Sequence, residues 1–213
     1  MDEVAPVLAR LAEHSPNMLL QSCRRIIEYF PAAGPAWWLA ARALAGADPA
    51  EEIDDAVEEL GSDPTGRLLA DALPAGSVAA VGPVGDAVRR AFRHRPDVKV
   101  AKKLGPAGLL LVTAQAGGPS SLLVSARAAQ AVSRARSAGK PVWGVVPRGT
   151  ALPGPLWESL LALAAPGEDT TVVAVMDAGV LEVVVGDQGK APPPGDLARP
   201  GCPPVAELLG WRI

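Results

Sequence analysis

Three short stretches of this chain carry residue types suited to holding an anion. The first is Gly82-Pro83-Val84-Gly85-Asp86, where Gly82 and Gly85 let the backbone approach a ligand closely. The second runs from Gln115 to Ser121, with Ser125 and Arg127 following at the start of a small-residue helix. The third is Arg148-Gly149-Thr150, delivered by the apolar run Val142–Val146 and the break at Pro147. A guanidinium fork matches two oxygens of a phosphate or carboxylate. Unpaired N–H groups at helix N-termini near Ala87 and Ala126 favour the same charge. Together these stretches describe a candidate anion-binding crevice made of Gly82, Gly85, Gln115, Ser125, Arg127, Arg148, Gly149 and Thr150. Plainer readings stand beside it. A tight strand-to-helix turn favours glycine whatever it binds. Asp86 as a helix N-cap would repel a phosphate, and Arg127 suits a surface ion pair. Arg148 could equally pair with a carboxylate such as Asp86 or Glu158.

Other chemistries are weakly provided for. Cys23 and Cys202 stand far apart, without a CxxC spacing or a histidine cluster, and His14 and His94 are isolated. Free buried thiols are expected, with no metal site and no cofactor. The formal net charge of −3 argues against a nucleic-acid footprint. Met1-Asp2-Glu3 offers neither the basic nor the apolar region of a secretory signal, and no apolar run reaches the roughly 18 residues of a membrane span. A cytoplasmic protein is expected. Trp37 and Trp38 are adjacent on one helix, roughly 100° apart. Core packing is the default for both, and an exposed indole beside Pro35 would suit a partner groove.

The elements that must position these residues change character along the chain. Val4–Glu13 reads as a short amphipathic helix. Ser15-Pro16 starts another, with Leu19, Cys23, Ile26 and Phe30 at helical spacing. Gly34-Pro35, Asp48-Pro49 and Asp63-Pro64 start three more. Asp48 and Glu51 form a capping-box-like pair, Ile53, Val57 and Leu60 an apolar stripe, and Gly61 a stop. After residue 76 strands alternate with helices: Ser77–Val81, helix Ala87–His94, Asp97–Ala101, Leu109–Thr113, helix Ala126–Ser137 capped by Ser125, then Val142–Val146. That alternation predicts a parallel sheet with right-handed crossovers. Ligands of such sheets sit beyond the carboxyl ends of the strands. Thr171–Met176 and Val180–Val185 read as a hairpin about Asp177-Ala178-Gly179, residues 186–204 as an extended Pro/Gly-rich segment, and Val205–Trp211 as a final helical turn.

This order of elements resembles the translation initiation factor 2B-like superfamily, which holds regulatory initiation-factor subunits and sugar-phosphate aldose–ketose isomerases. The stretch "AGKPVWGVVPRGT" is similar to the family's helix end, Gly-x-Pro, strand, Pro and small polar loop. "GLLLVTAQAGGPSSLLVSARAAQAVSRA" resembles its strand, Gly-Ala-Asp and small-residue helix, and "GPAWWLAARAL" its Gly-Ala-Pro helix. The resemblance implies a helical N-terminal part on a Rossmann-like half, and pairing of two copies through those halves. It also implies where isomerase chemistry would lie, and there this sequence departs. The turn "VGPVGD" lacks the isomerases' cysteine. Their Gly-Ala-Asp becomes Thr113-Ala114-Gln115, and Gln115 cannot exchange a proton near neutral pH. Their Asn-Lys-x-Gly-Thr becomes Val124-Ser125-Ala126-Arg127-Ala128, and the arginine before Gly-Ala-Pro is replaced by Ala33.

The sequence therefore predicts an α/β protein: an N-terminal helical bundle over residues 1–73, then a shortened Rossmann-like parallel sheet over residues 74–213 with a C-terminal β-hairpin. The expected function is non-catalytic, a regulatory or protein-interaction role with a homodimer, a protein partner and a phosphorylated small molecule as candidate associates. The alternative is an enzyme of the sugar-phosphate isomerase type, or one that binds a nucleotide or sugar phosphate.

Overall fold

The proline-marked starts in the first third open helices. A computed structural model describes residues 16–81, 85–101, 104, 107–164 and 173–210, and within it α1 spans Pro16–Tyr29, α2 Gly34–Ala45, α3 Pro49–Gly61 and α4 Thr65–Ala72. The helix expected at Val4–Glu13 lies outside the described residues. On α1, Leu19, Cys23 and Ile27 recur every fourth residue and are buried, whereas Phe30 falls beyond the last turn and is 47% exposed. The Asp48 carboxylate accepts from the Ala50 and Glu51 N–H groups and so satisfies two of α3's orphan donors. Gly61 is not the stop: α3 runs through it, and the Ser62 N–H closes the helix on the Glu58 carbonyl.

Beyond residue 76 the chain forms β1 (Ser77–Val81), α5 (Asp86–His94), β2 (Lys99–Val100), β3 (Leu109–Thr113), β4 (Ala116–Gly117), β5 (Ser121–Ser125), α6 (Ala126–Ser137), β6 (Val142–Val146), α7 (Gly154–Leu163), β7 (Val173–Asp177), β8 (Val183–Gly186) and β9 (Gly189–Ala191). Among the described residues six strands make one sheet in the order β2-β1-β3-β6-β8-β9. All its neighbours are parallel except the final pair, β8 and β9. β3 and β6 occupy its centre, and burial on both faces explains their unbroken apolar runs.

The chain is thus α/β, with helices first, a Rossmann-like parallel sheet next and a hairpin towards the C-terminus, as the sequence predicts. The position of the hairpin differs. β7 does not pair with β8; it lies antiparallel to β5, and with β4 these strands form a second, three-stranded sheet among the described residues. The physical cause is local. The Asp177 carboxylate accepts the Gly179 N–H, and Ala178–Val180 turns as a 3-10 helix that sends the chain across to β6. Gly179 is not left-handed; Gly189 is, with φ of +111°, and it serves the hairpin that does form between β8 and β9. The Pro/Gly-rich segment is not simply extended either, because it carries β9 and a 3-10 turn, Gly195–Ala198, that fully buries Leu197. A 3-10 turn at Ala206–Leu208 stands where a last helical turn was expected, and Trp211 lies outside the described residues.

Three apolar clusters hold these layers. α6 covers one face of the main sheet with Ala128, Ala131, Val132 and Ala135 against Leu110, Val112 and Val184. α4 and α5 cover the other, where Leu69, Leu73, Val88 and Ala91 meet Leu111, Trp143 and Val185. The third cluster joins Trp37, Leu39 and Ile53 of the first helices to Leu123, Leu152, Leu156, Cys202 and Leu208. Each large side chain buried in this way stabilises the fold by about 1.5–3 kcal/mol. The N-terminal helices are therefore held against the strand ends by a shared core.

Candidate functional site at the strand ends

The loops after β3 and β6 meet each other and the start of α2, and glycine is what lets them. Gly34, the first residue of α2, donates its N–H to the Gln115 carbonyl at 2.8 Å. A β-carbon on Gly34 would lie 2.7 Å from the Thr150 carbonyl oxygen and 3.1 Å from that of Gln115. The loops after β3 and β6 are themselves zipped together. The Gly117 N–H donates to Thr150 at 2.9 Å, and the Leu152 N–H returns to Gly117 at 2.8 Å. Gly85 abuts the end of β3, since a β-carbon there would stand 3.1 Å from the Thr113 methyl. Gly82 lies outside the described residues.

The candidate side chains divide among different places. Arg148 lines two cavities. The smaller, about 230 Å³, is walled by Trp38, Glu59, Asp187, Asp196 and Arg199. The larger, about 470 Å³, lies between α3 and α5 and is lined by Leu39, Val57, Leu60, Asp86, Arg90 and Pro147. Gly149 has φ of +76°, a conformation that favours glycine, and a β-carbon there would press on Leu60. Thr150 is buried, its N–H closing the turn onto the Pro147 carbonyl. Gln115 opens instead on a third cavity with Tyr29, Phe30 and Val173. Ser125 Oγ is taken up as the N-cap of α6, accepting from the Ala128 N–H. Arg127 is exposed, and neither it nor Ser125 lines either of the cavities that hold Arg148.

Arg148 is already engaged. Its Nε donates to Asp187 Oδ2 at 2.7 Å, and its Nη1 lies 3.7 Å from Glu59 Oε2. Glu59 in turn accepts from Arg42, which also holds Glu52 at 2.8 Å. Burial disfavours the Arg42 cation, but the bonds to Glu52 and Glu59 outweigh it and hold the pKa above its ordinary value. The result is a line of alternating charges, Glu52–Arg42–Glu59–Arg148–Asp187, joining α3, α2, the β6 loop and the β8–β9 turn. An incoming phosphate would meet a guanidinium already bonded to Asp187 and close to Glu59. Asp196 closes the same cavity. Burial pushes its carboxyl above the usual range and the neighbouring Asp187 charge adds to that, against the Gln188 N–H that it accepts.

Local sequence could not reveal this partner set. Asp86 and Glu158, the carboxylates suggested for Arg148, are not its partners; Asp187 and Glu59 are, from elements remote in the chain. Asp86 is no N-cap. Gly85 holds that position, and Asp86 pairs on the surface with Arg89 at 3.4 Å. Trp37 and Trp38 are both buried, with indole N–H groups donating to the Pro31 and Gly201 carbonyls at 3.0 and 2.7 Å. Neither presents a face to a partner. Their polar edges are satisfied internally, as a buried indole requires.

Both cysteines sit in the apolar cluster of the N-terminal helices. Burial pushes each thiol up to about 12. Both are therefore held in the un-ionised form at neutral pH, in apolar surroundings that leave a thiol inert. Among the described residues no cluster of His, Cys, Asp and Glu suits a metal ion, and no helix is long and apolar enough to cross a membrane.

No protein-family model matches the chain, and no curated protein sequence matches it either. Solved structures do. The translation initiation factor eIF-2B of Pyrococcus horikoshii OT3 superposes with a TM-score of 0.68 at 10% identity, over 91% of this chain and 90% of that one. A chain of the tetrameric eIF2B-beta2-delta2 complex from C. thermophilum gives 0.67 at 15% identity, over 89% and 83%. The 5-methylthioribose 1-phosphate isomerase of P. horikoshii OT3 gives 0.59 at 14% identity, over 90% and 78%. At such identities the likeness is one of backbone architecture. This chain has the fold of the initiation factor 2B-like superfamily.

Proposed function

We propose that the chain is a non-catalytic regulatory or protein-interaction protein built on the initiation factor 2B-like fold, acting as a homodimer in the cytoplasm. The observation that carries this reading is the fate of the chemistry-bearing groups. The sequence contains two cysteines, and both thiols are locked in the core far above neutral pKa. Gln115, where the isomerases' aspartate would stand, contributes its backbone to the seam with α2, and its amide cannot exchange a proton near neutral pH. The eIF2B subunits of similar fold form a tetrameric complex, which accords with a role in assembly.

The test is direct. Purified protein incubated with 5-methylthioribose 1-phosphate or ribose 1,5-bisphosphate and followed by proton NMR should give no isomerised product. Turnover of about 1 per second, ordinary for an enzyme, would refute the reading. A second reading, sensing of a phosphorylated metabolite at the strand ends, is favoured by one observation: Arg90 and Arg148 both line the larger cavity, beside the N-terminus of α5.

A further inference from the structure

The helix α6, which covers one face of the main sheet, turns a wholly cationic outer face to solvent. Its sequence ARAAQAVSRARS holds arginines at 127, 134 and 136 and no carboxylate. Ala128, Ala131, Val132 and Ala135 are buried against the sheet. At about 100° per residue, Gln130, Ser133 and Ser137 then point away from it, and all three are exposed. Arg127 and Arg134 stand on one shoulder of that line, about 10 Å apart along the axis, and Arg136 stands on the other. Among the described residues none of these exposed arginines forms an ion pair. Helix stability does not account for all of them. Arg134 and Arg136 lie in the last turn, where the helix dipole favours a cation. Arg127 lies in the first turn, where the dipole opposes one, and no acidic residue stands there to balance it.

We propose that this face seats a helix of a different protein, one that carries carboxylates along both flanks of a small or apolar stripe. The proposal rests on the reading of the chain as a protein-interaction protein and supplies the chemistry of the partner. Charge complementarity selects the occupant. Ser133 and Ser137 are short and lie between the arginine shoulders, so a partner helix can approach to about 8–10 Å between axes. Its flanking Asp or Glu side chains then reach the guanidiniums, as charges do beside the seam of a coiled coil. Two carboxylates seven residues apart on one flank meet Arg127 and Arg134, and one on the other flank meets Arg136. The same helix of a second copy does not fit, because a two-fold would set arginine on arginine with no acid on either side. A nucleic-acid strand is disfavoured twice: α6 holds no aromatic side chain on which a base could stack, and the formal net charge of the chain is −3.

The experiment is peptide-display selection on the full chain at about 150 mM salt, where loose surface attraction is screened. The library is an alanine-rich helix of about three heptads whose two flanking positions per heptad are randomised among Glu, Gln and Lys. Selected peptides should carry Glu on both flanks and bind wild type with micromolar Kd by fluorescence anisotropy. Arg127→Glu with Arg134→Glu should weaken a Glu-flanked peptide at least about tenfold and bind a Lys-flanked one instead. The control, Arg89→Glu with Arg93→Glu, makes the same change in net charge at exposed positions of α5, over the opposite face of the sheet, and should leave peptide binding unchanged. Circular dichroism melts confirm that each variant is folded. Should the reversal fail to fold, Arg127→Gln with Arg134→Gln carries the same test. Selected peptides without a Glu preference, none selected at all, or equal weakening by the α5 reversal overturns this site. None of these outcomes touches the wider reading, which the isomerase assay decides separately. An oligothymidylate or phosphatidylserine vesicles binding more tightly than any peptide, with loss on the α6 reversal, overturns the site as a helix seat too.

Discussion

Replacing Gly34 by alanine probes the seam that joins the N-terminal helices to the strand ends. The new methyl carbon would lie 2.7 Å from the Thr150 carbonyl oxygen, 3.0 Å from the Thr150 α-carbon and 3.1 Å from the Gln115 carbonyl oxygen. All three are backbone atoms in loops hydrogen-bonded to one another, so no side chain can swing aside. Overpacking of this kind costs about 1–3 kcal/mol. Relief by moving α2 outwards strains or breaks the Gly34 N–H bond to Gln115, worth about 0.5–1.5 kcal/mol. Alanine's better helix propensity returns at most about 1 kcal/mol. The net loss centres on about 2 kcal/mol, which for a chain of 213 residues lowers the melting temperature by roughly 4–8 °C. Thermal unfolding followed by tryptophan fluorescence measures this, since Trp37 and Trp38 sit on the same helix. A melting temperature equal to or above wild type would refute the close approach of α2 to both loops.

Two further substitutions or modifications test the surroundings of the site. Native protein should not react with Ellman's reagent at pH 8, because burial pushes both Cys23 and Cys202 up to about 12, whereas two thiols should titrate in denaturant; rapid reaction of the folded protein would contradict the burial of either. For Asp196 the folded pKa is raised, so the folded state favours the protonated form and stability falls as pH rises from the ordinary carboxylate value towards the raised one. Asp196→Asn keeps an acceptor for the Gln188 N–H and should flatten that dependence in urea melts; a loss of more than about 1 kcal/mol at pH 7 would show that the ionised carboxylate is needed.

Much of the architecture is legible from short-range signals. Proline beside Asp or Gly marks helix starts at residues 34, 49 and 65, and the apolar runs 109–113 and 142–146 announce the central strands. What is not legible is pairing at a distance. Residues 173–177 and 183–186 look like two arms of a hairpin, yet each finds a better partner elsewhere, β5 and β6, because the turn at Asp177 sends the second away from the first. Burial of Leu197 likewise depends on a surface assembled from β4 and β8, which no local pattern encodes. The site shows the same limit. Its glycines and Arg148 stand out in sequence, but the carboxylates that hold Arg148 lie 89 residues before it and 39 after it, and only the tertiary fold brings them to the β6 loop. Trp37 and Trp38 are ambiguous by helical angle alone, and the segment that covers Trp38 comes from Gly201.

The structural role of Arg148 at the strand ends rests on its hold on Asp187 and Glu59. Its most direct test joins two readouts on Arg148→Ala: the melting temperature, and calorimetric titration of wild type and variant with inorganic phosphate, nucleotides and sugar phosphates. The account predicts that wild type binds none of these and that the variant melts several degrees lower, because Asp187 loses a charge-assisted bond of about 1.5–3 kcal/mol. A wild type that binds one of them, with Arg148→Ala weakening it roughly ten- to a hundredfold at an unchanged melting temperature, would contradict the claim and make the crevice a ligand site.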